Sequence, residues 1–397
     1  MRIIEINSYK NGSTGSIMTS IAREAKKNGH EVIMCYPHSR MNIKAYQKGD
    51  YLIGNRITRN IGALLHYYFG IELLPNLLST LMLLFKIIRV NPDIIHLHNL
   101  HGSYLNLPVL FLYLKITKKR IIWTLHDCWS FTGHCAHYVD ISCGKWKTSC
   151  YNCPKYSVYP ATKFDNSRYA FFIKKKFFTL IKNLHIVTVS QWLQSQVQES
   201  FLSRYPISVI TPGVDRDVFT PSKTSSFRTK YDLNKKFVIL GVATAWSKNK
   251  GLFDYFELNT RLKDDEVIVL VGLSKNQILQ LPSGIIGIER TESRKELIEI
   301  YSEADVLLSL SRAETFGLTI VEAMSCGTPA IVYDNTAQSE LVPGKDMYCV
   351  ATGDIEDLYK HIHLVKYCDK QFSFTEYARR YDEVESLKQY MQLFSSI

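Results

Sequence analysis

The chain has 397 residues, more than a single hydrophobic core usually serves, so two domains are expected before any motif is read. Hydrophobic residues make up 46% of it and charged residues 21%, which excludes a disordered or low-complexity protein. The formal net charge of +11 suits a phosphate-bearing or anionic partner, but no nucleic-acid module is recognisable, so nucleic acid is not an expected partner.

The first apolar run, Ile3 to Ile6, is interrupted by Glu5 and is too short and polar for a signal-peptide core, which leads to the expectation of a cytoplasmic protein. It reads as a buried strand. The loop Gly12-Ser13-Thr14-Gly15 and a helix from Ile17 to Asn28 follow, an arrangement that lets backbone approach a phosphate or sugar. Gly12 and Gly15 are therefore candidate donor-binding residues, with turn geometry alone as the other reading. Val32 to Cys35 continues the strand series. Leu77 to Val90 contains Lys86 and Arg89, falls short of the roughly 20 apolar residues of a membrane span, and reads as a packed helix.

Ile94 to Leu97, Ile121 to Leu125 and Ile186 to Val189 complete the first series of β-branched runs, each followed by a helical pattern. Strand, crossover helix and parallel strand repeated this way give a doubly wound sheet, whose ligands gather at the carboxyl ends of the strands. His126 lies just past such an end. His96, His98 and His101 either shape an acceptor site or fill the edge of the sheet. Five cysteines lie between Cys128 and Cys153, and Cys150-Tyr151-Asn152-Cys153 has the gap with which two thiolates grip one metal. Cys135, Cys143, Cys150 and Cys153 are the candidate ligands of a structural zinc, His134 or His137 being substitutes for one of them. Free thiols, a redox pair and disulfides are the alternatives, the last disfavoured in a reducing cytosol. Phe171 to Phe178 mixes lysines with aromatics, as a peripheral contact with an anionic membrane would, or as a solvated helix face with its aromatics turned inward would.

The stretch TPGVDRDVFTP marks a domain boundary. The expected organisation is 1–208 as an acceptor-side Rossmann-like domain with a cysteine-rich insertion near 128–153, and 209–375 as a nucleotide-sugar domain. The segment 376–397 is expected to be a helix returning to the first domain. Phe237 to Val242, Val267 to Val271, Ile285 to Ile288, Val306 to Ser309 and Ala330 to Val332 are the strands of the second half. Lys250-Gly251 follows the first of them, so the ammonium can reach a diphosphate, with Lys248 close by. Arg290 follows another strand end and is a candidate for contact with the base.

SRAETFGLTIVEAMSCGTPAI follows a buried strand and turns through Gly317 into a helix that ends at Cys326-Gly327. The free amides of the first turn, at Gly317 and Leu318, form a site for phosphate assisted by the helix dipole. Glu314 stays in the loop, and Glu322 sits about one turn into the helix, where it can accept hydrogen bonds from a ribose. Glu314 and Glu322, with Phe316-Gly317 between them and the Gly-Thr-Pro exit, resemble glycosyltransferase family 4, of the bacterial capsule and exopolysaccharide type. The resemblance implies an α/β fold of the GT-B kind, two Rossmann-like doubly wound domains facing across a cleft. It further implies a retaining hexosyl transfer without a catalytic metal from a UDP- or GDP-sugar to a glycan or lipid-linked acceptor, at the inner face of the plasma membrane. In that family the first Glu lies by the transferred sugar and the second holds the ribose, which assigns those roles to Glu314 and Glu322, and places His126 beside the donor sugar. The chain departs from the pattern at Ala245, where many relatives carry an Arg. A nucleotide-sugar epimerase of similar architecture and a non-enzymatic basic binding protein are the rival readings.

Overall fold

The computed structural model describes residues 1–224, 226–368 and 372–396. The chain divides into two compact units, Met1–Ile210 with Leu387–Ile397, and Thr211–Ser386.

The first unit holds a seven-stranded parallel sheet of β1 Arg2–Ile6, β2 Glu31–Pro37, β3 Tyr51–Ile53, β4 Ile94–Leu97, β5 Arg120–Leu125, β6 Leu184–Thr188 and β7 Ile207–Val209, in the order β3-β2-β1-β4-β5-β6-β7. The second holds a six-stranded parallel sheet of β8 Phe237–Val242, β9 Glu266–Val271, β10 Ile285–Ile288, β11 Val306–Ser309, β12 Ala330–Tyr333 and β13 Cys349–Val350, in the order β10-β9-β8-β11-β12-β13. In both sheets the central strands are buried on both faces, which is why they read as continuous apolar runs. The strands that no such run announces, β3, β7 and β13, are short and lie at the sheet edges.

Both sheets reverse their direction of strand addition beside the first strand, between β1 and β4 and between β8 and β11. The loops leaving the carboxyl ends of those strands border the crevice in which doubly wound sheets bind ligands.

Helices used below are α1 Ser13–Lys27, α2 Arg56–Phe69, α3 Leu77–Val90, α4 Ser167–Phe178, α5 Leu318–Ser325 and α6 Glu383–Ser396. The core of the first unit joins Ile3, Met18, Ile21, Ile94, Ile122 and Val187 to Leu387, Tyr390 and Phe394 of α6. The closing helix thus completes a core begun almost four hundred residues earlier.

α3 is packed less completely than its sequence reading has it, and α4 follows the reading with aromatics turned inward except that Lys174 goes in with them. α3 buries Leu83, Leu84 and Ile87 but leaves Leu78, Met82 and Phe85 exposed, so it is packed on one side only. α4 turns Phe171, Ile173, Lys174 and Phe178 inward. Lys174 is fully buried and donates to the carbonyls of Trp129 (2.7 Å) and Thr132 (3.1 Å), with its ammonium 3.5 Å above the Trp129 ring. This lysine anchors the turn after β5 and is no part of a basic surface, because satisfied carbonyls and an aromatic face replace its hydration.

Candidate functional site

In the second unit, the loop leaving β8 passes through a 3-10 turn, Lys248–Lys250, and closes at Gly251 with φ 74°. A Cβ on Gly251 would stand 2.4 Å from the Leu310 carbonyl oxygen, so glycine alone lets this loop lie against the end of β11. That approach brings Lys250 to the loop leaving β11, where its Nζ meets Glu314 Oε2 at 2.5 Å. Lys248 is exposed on the same turn, and Ala245 is exposed just before it.

The Glu314 loop is held from several sides. Arg312 donates through two N–H groups to Asp254, at 2.7 and 3.0 Å, and Tyr333 O–H donates to the same carboxylate at 2.8 Å. Gln338 Nε2 donates to the carbonyls of Ser311 (2.8 Å) and Tyr333 (3.0 Å), and the Glu314 N–H donates to Thr336 Oγ1 (3.1 Å). A carboxylate on so constrained a loop keeps its position when a ligand arrives.

Gly317, at φ 112°, begins α5 and leaves the amides at its first turn facing away from the helix. Phe316 is buried edge-to-face against Tyr381 with centroids 5.9 Å apart, so its side chain packs the loop, and only its backbone is left for a ligand. Glu322 Oε2 accepts the Tyr301 hydroxyl at 2.8 Å. Burial raises its carboxyl above the ordinary range, against the Tyr301 bond and Arg294. Arg290 is exposed beyond β10 and is not among the groups that meet around Lys250 and Glu314.

In the first unit, Gly12 stands at the head of α1 with φ 87° and open space where a Cβ would be. Gly15 has a packing reason of its own: a Cβ there would lie 2.4 Å from the Lys10 carbonyl carbon.

The histidines form a connected group. Glu5 and His96 are register partners on β1 and β4, and His98, two residues on, shares their face of the sheet. Glu5 Oε2 lies 2.9 Å from His96 Nδ1 and 2.9 Å from His98 Nε2, and His98 Nδ1 lies 3.0 Å from His126 Nε2. Burial would raise the Glu5 carboxyl, but the two rings beside it hold it down at about 2. Burial and the neighbouring His96 bring His98 down to about 4, and burial and His98 keep His126 well below its ordinary value.

The proton positions follow from these charges. An ionised Glu5 only accepts, so His98 donates from Nε2; a neutral His98 then accepts at Nδ1, and His126 donates from Nε2. The bare nitrogen of His126 is therefore Nδ1. Tyr390 and Phe394 of α6 wall this group off, with ring centroids 5.7 and 5.6 Å from His96. Beside it, His101 Nε2 pairs with Asp127 at 3.1 Å.

The cysteines do not assemble as the sequence led us to expect. Cys135 and Cys153 place their sulfurs 3.6 Å apart, and Cys150 Sγ accepts the Gly133 N–H at 3.1 Å. Among the described residues, however, the one group of three or more histidine, cysteine or carboxylate ligand atoms that all lie within 4.8 Å of one another is Glu5, His96 and His98. No three of the four candidate sulfurs fall within that spacing, although Cys150 is close enough to Cys143 and Cys153 for their charges to act on it.

The family described as Glycosyltransferase Family 4 matches residues 14–218, more than half of the chain, and that described as Glycosyl transferases group 1 matches residues 223–381. The chain belongs to glycosyltransferase family 4. Among curated relatives it is 27% identical over 259 residues to the putative colanic acid biosynthesis glycosyl transferase WcaC of Escherichia coli (strain K12), a match covering 63% of this chain and 62% of that relative. It is 30% identical over 137 residues to D-inositol 3-phosphate glycosyltransferase of Mycobacterium sp. (strain KMS), covering 32% of this chain and 31% of that one. The chain therefore spans less than two thirds of the length of these relatives. Among solved structures, Anabaena Alr3699/HepE in complex with UDP matches with a TM-score of 0.72 at 16% identity over 100% of both chains. Sucrose-phosphate synthase from Thermosynechococcus elongatus matches with a TM-score of 0.70 at 15% identity, also over 100% of both. These likenesses establish the α/β fold of the GT-B kind.

Within this family 4 chain, sequence reasoning passed over the Arg312–Asp254–Tyr333 clamp and the Glu5–His98–His126 chain. A signal for the second was present: Glu5 is a charge inside the apolar run Ile3 to Ile6, and such a charge is kept only where partners await it. The first had no local signal, since Asp254 reads as an ordinary first-turn helix acid.

Proposed function

We propose that the chain transfers a glycosyl unit, with retention and without a catalytic metal, from a nucleotide-sugar donor to a glycan or lipid-linked acceptor of surface polysaccharide synthesis. The observation that carries this reading is the meeting of Lys250, Glu314 and the opening of α5 at the switch point of the second sheet. A cation and unpaired amides there suit the charge that grows on a leaving diphosphate. In the reaction the bond from the anomeric carbon to the phosphate oxygen breaks, and a bond to the acceptor oxygen forms on the same face. The hydroxyl proton passes to the departing phosphate oxygen, and a nucleoside diphosphate leaves.

Lys250 and the Gly317 and Leu318 amides stabilise that diphosphate, with Lys248 as the added cation where relatives carry Arg. Glu322 takes the ribose through the oxygen that Tyr301 does not occupy. Glu314 and His126 are assigned to the transferred sugar, Gly12 to the phosphate or sugar, and Arg290 to the base. The UDP in the Anabaena complex and the colanic acid role named for WcaC support a UDP-sugar and a polysaccharide acceptor.

Thermal unfolding with UDP-, GDP- and ADP-sugars tests the donor assignment. One nucleotide class is expected to raise the melting temperature of the wild type, since a ligand that binds only the folded state stabilises it, and Glu322→Ala to lose most of that rise. No shift with any nucleotide sugar would sink the donor site.

A structural zinc at the cysteine-rich loop is supported by the Cys135–Cys153 approach, since two thiolates on a tetrahedral zinc stand about 3.8 Å apart. Cys135 and Cys153 would hold it as placed, Cys143 and Cys150 would have to move in to complete four ligands, and it would pin the loop without taking part in transfer. Metal analysis of purified protein is expected to find about one zinc per chain, lost in Cys153→Ser. Metal-free protein with all these thiols reactive would exclude it.

A further inference from the structure

We propose that Asp254 and Arg312 form a positioning pair for the donor site: their ion pair ties the turn that carries Lys250 to the loop that carries Glu314, and so holds the Lys250 ammonium where a nucleoside diphosphate docks. Asp254 lies four residues after Lys250, in the first turn of the helix Leu252–Asn259, and Arg312 lies two residues before Glu314.

The Lys250–Glu314 contact does not hold itself. Its side chains are 38% and 22% exposed, the lysine stem is flexible, and an ion pair so open to solvent does little to fix its own geometry. The Asp254–Arg312 pair is of another kind. Its side chains are 11% and 22% exposed, and two N–H groups of one planar guanidinium reach the two oxygens of one carboxylate, at 2.7 and 3.0 Å, which sets orientation as well as distance. The Arg312 backbone N–H donates to the Asn249 carbonyl at 2.8 Å, one residue before Lys250, and Tyr333 at the end of β12 donates its hydroxyl to Asp254 at 2.8 Å. Three segments remote in sequence thus meet at one carboxylate within a few residues of both Lys250 and Glu314.

Arg312 is also a cation in a chain that has Ala245 where many relatives carry Arg. A guanidinium committed to Asp254 through two nitrogens is not presented to a phosphate, so it acts through the loop it holds and not by direct contact. This role rests on the donor-site reading given above and adds to it two residues that never touch the donor.

Titration calorimetry of the full chain with UDP, GDP and ADP tests the role, following whichever nucleotide the wild type binds most tightly. Lys250→Ala is expected to weaken that nucleotide at least about tenfold, the loss of a hydrogen bond to a charged group. Asp254→Asn is expected to weaken it about tenfold as well, with an unchanged number of sites per folded chain. The sign decides between causes. Removing a negative charge near a diphosphate, or releasing Arg312 toward it, would tighten binding, whereas a purely structural loss would lower the number of competent sites and leave their affinity alone. In the Lys250→Ala background the same Asp254→Asn change should cost less than about threefold, because residues that act through one contact are not additive. Tyr333→Phe, which keeps the ion pair, is expected to weaken binding about threefold, and it carries the test should Asp254→Asn fail to fold.

The positioning role is overturned if Lys250→Ala weakens the nucleotide while Asp254→Asn, or Tyr333→Phe where the former does not fold, leaves it unchanged or tightens it. It is equally overturned if the Asp254 and Lys250 effects multiply in full. A Lys250→Ala protein that binds like wild type, or a wild type that binds none of the three nucleotides, would instead sink the donor site itself, and this role with it.

Discussion

Replacing Lys250 with alanine is expected to lower kcat/KM for glycosyl transfer on the order of 10²–10³-fold while barely moving the melting temperature. The first half of this expectation comes from chemistry. A cation aimed at a leaving diphosphate acts most strongly as negative charge accumulates there, so its loss falls on the transition state. Removing Lys250 also leaves the Glu314 carboxylate without the partner now 2.5 Å away, which adds repulsion toward the donor phosphates.

The second half comes from exposure. The Lys250 and Glu314 side chains are 38% and 22% exposed, and a pair so open to solvent contributes about 0–1 kcal/mol to folding. Initial rates with the donor found by thermal shift, beside melting curves of both proteins, check both halves. Lys250→Arg should be intermediate, since it keeps the charge but not its compact shape. A Lys250→Ala enzyme with near-wild-type kcat/KM would remove this residue from the donor site.

Replacing Glu5 with alanine is expected to destabilise the first unit by about 1–3 kcal/mol, the range for leaving a buried donor without its acceptor. His96 and His98 would be left facing an empty space inside a sheet where both are fully buried. Denaturant unfolding followed by tryptophan emission measures this, because Trp123 donates to the His98 carbonyl at 2.9 Å and reports on the group. Loss of less than about 1 kcal/mol would show that the group relaxes and that its hydrogen bonds contribute little.

The same group sets an acid limit on stability. His98 titrates near 6.5 when unfolded and near 4 when folded, so between those values the unfolded chain binds more protons, and stability falls as pH drops through that window. His126 works in the same direction, and Glu5 continues the loss between about 4.5 and 2. His101 opposes it, because Asp127 raises its affinity for a proton despite burial. The expected net result is a melting temperature that declines below pH 6.5. Glu5→Gln tests the tautomer chain directly: an amide can donate to His98 Nε2, which frees His98 to donate from Nδ1 and shifts the proton of His126 to its other nitrogen, visible in the nitrogen chemical shifts of the imidazoles.

The sequence alone determined the architecture, because a strand buried on both faces of a parallel sheet has to be apolar except where a polar side chain finds a buried partner. The runs at Ile3, Ile94, Ile121, Phe237 and Val306 therefore disclosed both sheets, and the glycine pattern at Gly317 disclosed where a helix opens after β11. Edge strands such as β7, half-exposed along their length, need no such run and stayed hidden. Tertiary structure alone decided which partners the buried charges take. Glu5 and His98 are more than ninety residues apart, Asp254 and Arg312 nearly sixty, and only the strand register and the loop closures bring each pair together. It also decided the two faces of Lys174 and α3, since periodicity states that a helix has an apolar stripe, whereas the neighbouring elements determine whether that stripe is covered.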